Sequence, residues 1–377
     1  MKILVAIVRV IVGVLFIFSG LIKANDPIGL SYKMQEFFEL WKLSSLNGIT
    51  LTLSILMIAF EIIAGAALLL GWKKKWIAWL LLLLIVFFTF LTGYAYLSGK
   101  FSNCGCFGDC IPISSKTSFI KDLVLLVLIL FLFINLRYIK PVFSGKTTAV
   151  LMVLVTAFSF LGQWYTLKYL PVLDCLPFKK GSFIPGKLKI PANAVPDSTE
   201  IVFVYEKAGK KIEFNAEQFP ADFNDSTYKF IDRYDKLIKA GSNNIPEIRG
   251  FDFTDTAGNN ITQQLLEADQ ILLLFNEDMS HPVSDWKNGF EPIYQNARAQ
   301  GIPVYIISST AVPVKQAIAG TAFKDLEVLA GDRVMIRMAA RTNPTLYLLK
   351  KGTVAGKWSY KNFNAALKEL GAVKTAR

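Results

Sequence analysis

Three of the four cysteines fall within eight residues, Asn103-Cys104-Gly105-Cys106-Phe107-Gly108-Asp109-Cys110, and the fourth, Cys175, follows about sixty-five positions later. Thiolates attack disulfides and exchange with them, so such a cluster points to thiol–disulfide chemistry. Four cysteines admit three pairings, and sequence alone does not choose among them. A bridge needs Cα atoms about 4.4 to 6.8 Å apart. Cys104 and Cys106 reach that only through a tight, strained backbone, whereas Cys106 with Cys110 is easier because Gly105 and Gly108 free the loop to turn. Cys104 or Cys106 is the expected attacking thiol and Cys110 its partner; Cys175 is either a resolving partner or a staple. Structural disulfides are the other reading. No metal is expected, because one-residue spacing is tight for structural zinc.

Charges around the loop tune that chemistry. Lys23 and Lys121 end apolar runs on the loop's side, and Lys100 precedes the motif. A cation beside a sulfur lowers its pKa, and Asp109 opposes this. Taken singly, each lysine also reads as an ordinary marker of the membrane interface.

The chain of 377 residues is 53% hydrophobic with a mean hydropathy of +0.41, too apolar for an ordinary soluble protein. A membrane-spanning helix needs about 20 mostly apolar residues. Five segments qualify: Ile3 to Ile22, Gly48 to Gly71, Trp76 to Ser98, Ser118 to Ile139 and Thr147 to Leu170. The first is read as a retained span, since its run is long and no small-residue cleavage site follows. Of the formal charge of +12, residues 1 to 180 carry +10, in short connections between spans. That pattern fits contact with membrane lipid and argues against nucleic acid as a partner.

Lys2, Lys73 to Lys75, Arg137, Lys140 and Lys146 share one side, which the positive-inside rule makes cytoplasmic. The cysteine loop, Cys175 and the C-terminal half then face outward, into the periplasm if the membrane is a bacterial inner membrane, where disulfides persist. Two intramembrane charges stand out, Arg9 and Glu61. At about 1.5 Å per residue they are similar in depth and close enough to pair. Glu61 is also a candidate proton or quinone site, because a buried carboxylate needs a partner or a proton.

Three regions are expected: a bundle over 1–172, a connector with a small hairpin over 173–247, and an α/β domain over 248–377. The hairpin is Thr199 to Glu206 and Lys210 to Phe214, followed by a polar helix-and-loop segment to about Ile245. Beyond it, short apolar strands alternate with helical patterns, as in an α/β sandwich.

The membrane half resembles the DoxX-like superfamily, and within it the MauE type (methylamine utilisation protein), on Arg9, Ser19-Gly20-Leu21-Ile22-Lys23, Glu61 with Ala64-Gly65, and CGCFG at 104 to 108. It departs in having Lys121-Asp122 where an Arg-Asn pair is usual, and in its fifth span. Residues 248 to 372 resemble a thioredoxin or peroxiredoxin-type domain, on FDFTD at 251 to 255 and NPTLYLLKKGTVAGKW at 343 to 358. In that register Pro344 is the cis-proline candidate, and Ser280, His281, Pro282 and Val283 stand where the redox cysteines would lie. A domain without thiols cannot exchange them. His281, the single histidine, reads as a loop residue at a helix start.

Together these imply a helical membrane bundle with a thioredoxin-like α/β domain, in which Cys104, Cys106, Cys110 and Cys175 pass electrons between exported thiol-containing proteins and an acceptor. A membrane quinone is the expected acceptor and the one cofactor considered. The competing reading is a non-enzymatic envelope scaffold with structural disulfides; transport through the bundle is poorly supported by so few intramembrane polar residues.

Overall fold

Helices long and apolar enough to cross a membrane dominate the first 170 residues of the computed structural model, which describes residues 1–99, 105, 107–239 and 241–372. The five are α1 (Lys2–Ala24), α3 (Thr50–Leu70), α4 (Lys74–Ser98), α5 (Ser115–Ile134) and α6 (Gly145–Tyr169). The connection between α1 and α3 contains a further helix, α2 (Pro27–Leu40). Its start is written locally: Asp26 caps the Gly29 N–H at 3.0 Å, and Pro27 supplies a preset first turn. Ser54 donates to the Pro27 carbonyl at 2.7 Å, holding α2 against α3.

α1 and α3 run antiparallel, and small residues set their spacing. A Cβ on Gly65 would stand 2.8 Å from the Gly13 carbonyl oxygen, and one on Gly20 would meet Ile62 at 2.5 Å. Backbones this close gain dispersion contact where lipid supplies no hydrophobic drive. The register corrects the expected Arg9–Glu61 pair. Gly13 lies against Leu69 and Gly20 against Glu61 and Ile62, so Arg9 faces the C-terminal end of α3. There it donates to the carbonyls of Leu68 (2.7 Å), Leu69 (2.5 Å) and Lys140 (3.0 Å). A cation at a helix C-terminus satisfies orphan carbonyls and opposes the dipole.

Residues 183–251 form a compact unit of their own. It holds a short helix α7 (Ile184–Lys187) and strands β1 (Ser198–Lys207), β2 (Lys210–Asn215) and β3 (Lys229–Lys239), in the antiparallel order β2-β1-β3. The β1–β2 turn is Ala208-Gly209, both at positive φ, the geometry a two-residue hairpin requires. Tyr205, Phe214, Phe219, Phe223 and Tyr228 pack ring against ring beside it. The segment expected as polar helix and loop is in part β3: paired along β1, its backbone gains a full ladder that its weak apolar periodicity would not gain as a helix.

The C-terminal segment builds a six-stranded mixed sheet, β4-β7-β6-β5-β8-β9. Its elements are β4 (Phe253–Thr254), α8 (Thr262–Glu267), β5 (Ile271–Phe275), α9 (Lys287–Ala299), β6 (Val304–Ser308), α10 (Ala311–Ile318), β7 (Glu327–Gly331), α11 (Arg333–Ala339), β8 (Thr345–Lys350), β9 (Thr353–Ser359) and α12 (Phe363–Ala372). β5, β6 and β7 are parallel, and β4, β8 and β9 antiparallel to their neighbours, a thioredoxin-like arrangement. All five residues of β5 are buried, as expected of a central strand covered on both faces. Trp286, Phe290 and Phe363 form the core on one side. This segment and the bundle belong to one compact unit, Met1–Ser182 with Asp252–Arg377.

Candidate functional site

Cys110 and Cys175 are joined by a disulfide, with Cα atoms 4.9 Å apart. The link closes the cysteine loop onto the segment that follows α6. Two features bring the halves together. Gly105 and Gly108 sit at positive φ and turn the loop, with the Gly108 N–H donating to the Gly105 carbonyl at 3.0 Å. Asn25, just past α1, holds the other strand on both edges: it donates to the Leu173 carbonyl at 2.8 Å and accepts from the Leu173 N–H at 2.9 Å. The easier Cys106–Cys110 bridge is therefore not the one present, because the Cys110 sulfur is already bonded to Cys175. Cys104 and Cys106 lie outside the described residues, as does Lys100. Cys110 is half-buried and Cys175 exposed.

Beneath the loop lies a cavity of about 430 Å³ between α1, α2, α3, α4 and α5. Its walls are largely apolar, including Phe16, Phe37, Trp41, Phe60 and Phe88, and Gly105 and Phe107 of the loop line it as well. Phe107 packs on Phe18 with ring centres 5.9 Å apart, and the Lys121 ammonium lies 5.1 Å from the Phe107 ring centre.

Two carboxylates line that cavity. Glu61, 1% exposed, takes Lys23 at 2.5 Å and the Ser19 hydroxyl at 3.0 Å. Asp122, also 1% exposed, pairs with Lys121 at 2.7 Å and accepts from Thr92 at 3.0 Å. Lys23 thus spends its charge inside the bundle on Glu61, and Lys121 sits against the loop through Phe107. An Arg-Asn pair at the start of α5 would present no acid there; the Lys121-Asp122 sequence supplies one, and Thr92 completes it.

The C-terminal domain grips the loop from the other side. Arg341, 5% exposed, donates to Asp26 at 2.7 Å and to Asp109 at 2.8 Å, and also to the Arg337 carbonyl. Burial pulls the Arg341 guanidinium down, and the Asp26 and Asp109 carboxylates outweigh it, leaving it above its ordinary value. Lys357, on β9, pairs with Asp174 at 2.7 Å; there burial wins, and the ammonium lies below its ordinary value. Both half-cystines therefore follow an aspartate, Asp109 before Cys110 and Asp174 before Cys175, and a cation of the C-terminal domain holds each one.

A third contact centres on Glu277, which accepts from Arg333 (2.9 Å) and Arg337 (2.7 Å), with Tyr32 of α2 at 3.4 Å. Arg337 also donates to Gln35 at 3.0 Å and stacks over Tyr32, 4.7 Å from its ring centre. Burial, with Glu277 nearby, raises the Tyr32 phenol well above its ordinary value.

Pro344 follows a cis peptide bond, directly after the Arg341 segment. The Asn343 side chain donates to Asp278 and to Ser280, which ties the cis-proline loop to the segment holding His281. His281 there lies 4.0 Å from Asp285 and beside Tyr360, and is half-buried. Sequence reading missed Arg341, Lys357, Asp26 and Asp174. The repeated Asp-Cys pair was the one local signal, and it does not name the distant partners.

Comparison with known proteins follows these divisions. Residues 1–135 match the family model described as methylamine utilisation protein MauE. Residues 199–240, the three-stranded sheet, match a domain of unknown function, DUF8463. Protein TlpB of Flavobacterium psychrophilum is 30% identical over 129 residues, covering 33% of this chain and 35% of that protein, so the chain spans about a third of the length of the curated relative it matches. Among solved structures, BsSco, a member of the Sco family of cytochrome c oxidase assembly proteins, aligns over 34% of this chain and 94% of its own at 16% identity and TM-score 0.26. Yeast Sco1 aligns over the same shares at 14% identity and TM-score 0.26. The stretch similar to MauE carries four of the five spans and the whole cysteine loop.

Proposed function

We propose that this protein is a membrane thiol–disulfide oxidoreductase acting at the periplasmic face of a bacterial inner membrane, with its N-terminus cytoplasmic. The observation that carries the reading is the Cys110–Cys175 bond, which lies above a cavity with two buried carboxylates; in sequence, Cys106 and Cys104 precede Cys110 by four and six residues. A thiolate of an exported dithiol protein attacks one sulfur of the bond; its second thiol resolves the mixed disulfide, leaving the partner oxidised and Cys110 and Cys175 reduced. In the step that follows, a Cys104–Cys106 disulfide breaks as Cys110–Cys175 re-forms by exchange, and the two thiols so produced return to the disulfide by giving two electrons and two protons to the acceptor.

A membrane quinone is the acceptor we favour. It would accept two electrons and two protons to become the quinol. Pockets for small ligands run about 300 to 1,000 Å³ and combine apolar walls with a few polar groups, and this cavity fits that description. Glu61 and Asp122 are the candidates to hold the ring oxygens or supply protons. Cys104→Ser and Cys106→Ser should each abolish quinone-dependent oxidation of a reduced dithiol peptide while membrane insertion is kept; turnover surviving in both single variants removes the claim.

The Cys110–Cys175 bond equally suits a scaffold, since it ties the loop to the end of α6 and the thioredoxin-like domain has no cysteine of its own. Differential alkylation with mass spectrometry separates the two. Mixed redox states or partner adducts favour exchange, and a single invariant pattern favours the scaffold.

A further inference from the structure

The three-stranded unit presents an edge with a self-complementary charge pattern. β3 is the outer strand of its sheet, hydrogen-bonded among the described strands to β1 alone, and all eleven of its residues are exposed. Exposed apolar side chains occupy both of its faces, among them Phe230 at 55%, Leu237 at 55% and Ile238 at 56%. A long open edge of this kind offers a row of unpaired backbone donors and acceptors to another strand. Irregularities in the β1 pairing bracket its regular part, which runs from Asp232 to Leu237.

Set an antiparallel copy of β3 beside it with Tyr234 opposite Tyr234. Within the regular stretch Arg233 then faces Asp235 of the copy and Asp232 faces Lys236, each pair on one face of the sheet. Every charged residue of the regular stretch meets its opposite, twice over by symmetry. No neighbouring register does this: slipping one residue sets Arg233 against Lys236 or Asp232 against Asp235. Opposed charges directly across a pair stabilise a sheet and like charges destabilise it, so the pattern selects one alignment. Among the described residues, Asp232, Arg233, Asp235 and Lys236 make no ion pair within their own chain, leaving these charges available. A two-fold axis through a residue suits antiparallel hydrogen bonding whichever set of backbone groups points outward. Lys229 would face Lys239 at each end of the contact, outside the regular stretch that sets the alignment.

We infer that β3 binds β3 of a second copy of this chain, two-fold and centred on Tyr234, to make a continuous six-stranded sheet β2-β1-β3-β3-β1-β2. Such an isologous contact closes a dimer and removes the open edge. The full chain reconstituted in lipid nanodiscs or detergent should be dimeric by mass photometry. Tyr234→Cys should cross-link to itself under mild oxidation, and Asp232→Cys, which faces position 236 of the partner, should cross-link far less.

Arg233→Asp sets a second carboxylate against Asp235 at two symmetric positions and should weaken dimerisation by about tenfold or more. Combining it with Asp235→Arg recreates the pairing in reverse and should restore the dimer, which also shows that the strand is folded. A monomeric wild type, a dimer indifferent to Arg233→Asp, or a double variant that stays monomeric each overturns the proposal. An edge that becomes protected only when a different protein is added assigns the strand to another partner and overturns it too.

Discussion

Arg341 reaches across 232 positions of sequence to donate to Asp109 at 2.8 Å, and Asp109 is the residue before Cys110. The thioredoxin-like domain has no thiol to contribute, yet it fixes the geometry of the loop that has them. Its second cation, Lys357, does the same for Asp174 beside Cys175. The domain holds both aspartates that precede the half-cystines, and its cis-Pro344 segment lies next to the gripping arginine.

Loosening that hold should expose the disulfide. Arg341→Met leaves Asp26 and Asp109 without their buried cation, and breaking such a pair costs about 3 to 5 kcal/mol. Reduction of Cys110–Cys175 by a small thiol, followed by alkylation and mass spectrometry, should be several-fold faster than in the wild type. Asp109→Asn should have a smaller effect, because Asp26 still holds Arg341. Equal rates in all three proteins would show that the hold does not govern access.

Two phenols, the buried Tyr347 and the half-buried Tyr32, predict alkaline sensitivity. Tyr32 and Tyr347 both lie above the ordinary tyrosine pKa of 10.0, in each case through burial first. Their stabilising contribution is complete below pH 10, where the unfolded state is also neutral. It is lost as pH rises further, because the unfolded chain releases protons that the folded one retains. Absorbance at 295 nm should show a class of tyrosines that ionises only with unfolding, and Tyr32→Phe should flatten the fall in thermal stability above pH 10. A wild type whose tyrosines all titrate together near pH 10 without unfolding would refute this.

Inside the bundle, Lys23 and Glu61 depend on one another. Glu61→Gln strands a buried ammonium and Lys23→Met a buried carboxylate, and each should cost about 3 to 5 kcal/mol. The double variant, carrying neither charge, should lose much less than the two single losses added together. Thermal unfolding of detergent-solubilised variants measures this; additive losses would mean that the 2.5 Å contact is not an energetic coupling.

Much of this protein follows from local rules. Five apolar runs of lipid-spanning length can only be helices, because a bilayer core offers no other partner for backbone polar groups. The Ala208-Gly209 turn makes its hairpin through two residues at positive φ. The sequence likewise marks the thiol cluster at 104 to 110 and the absence of cysteine from the C-terminal domain.

Which groups meet was decided elsewhere. Arg9 and Glu61 were matched by depth along their helices, yet α1 and α3 pack in a register that sends Arg9 to the Leu68 and Leu69 carbonyls and Glu61 to Lys23. Cys110 had a nearer candidate in Cys106 and bonds Cys175, because Asn25 holds the Leu173 segment beside the loop. Helix and turn formation depend on neighbours a few residues apart, which a sequence displays directly. A salt bridge or disulfide joins side chains whose separation along the chain carries no trace of their distance in space, so only the packed helices and sheet bring them together.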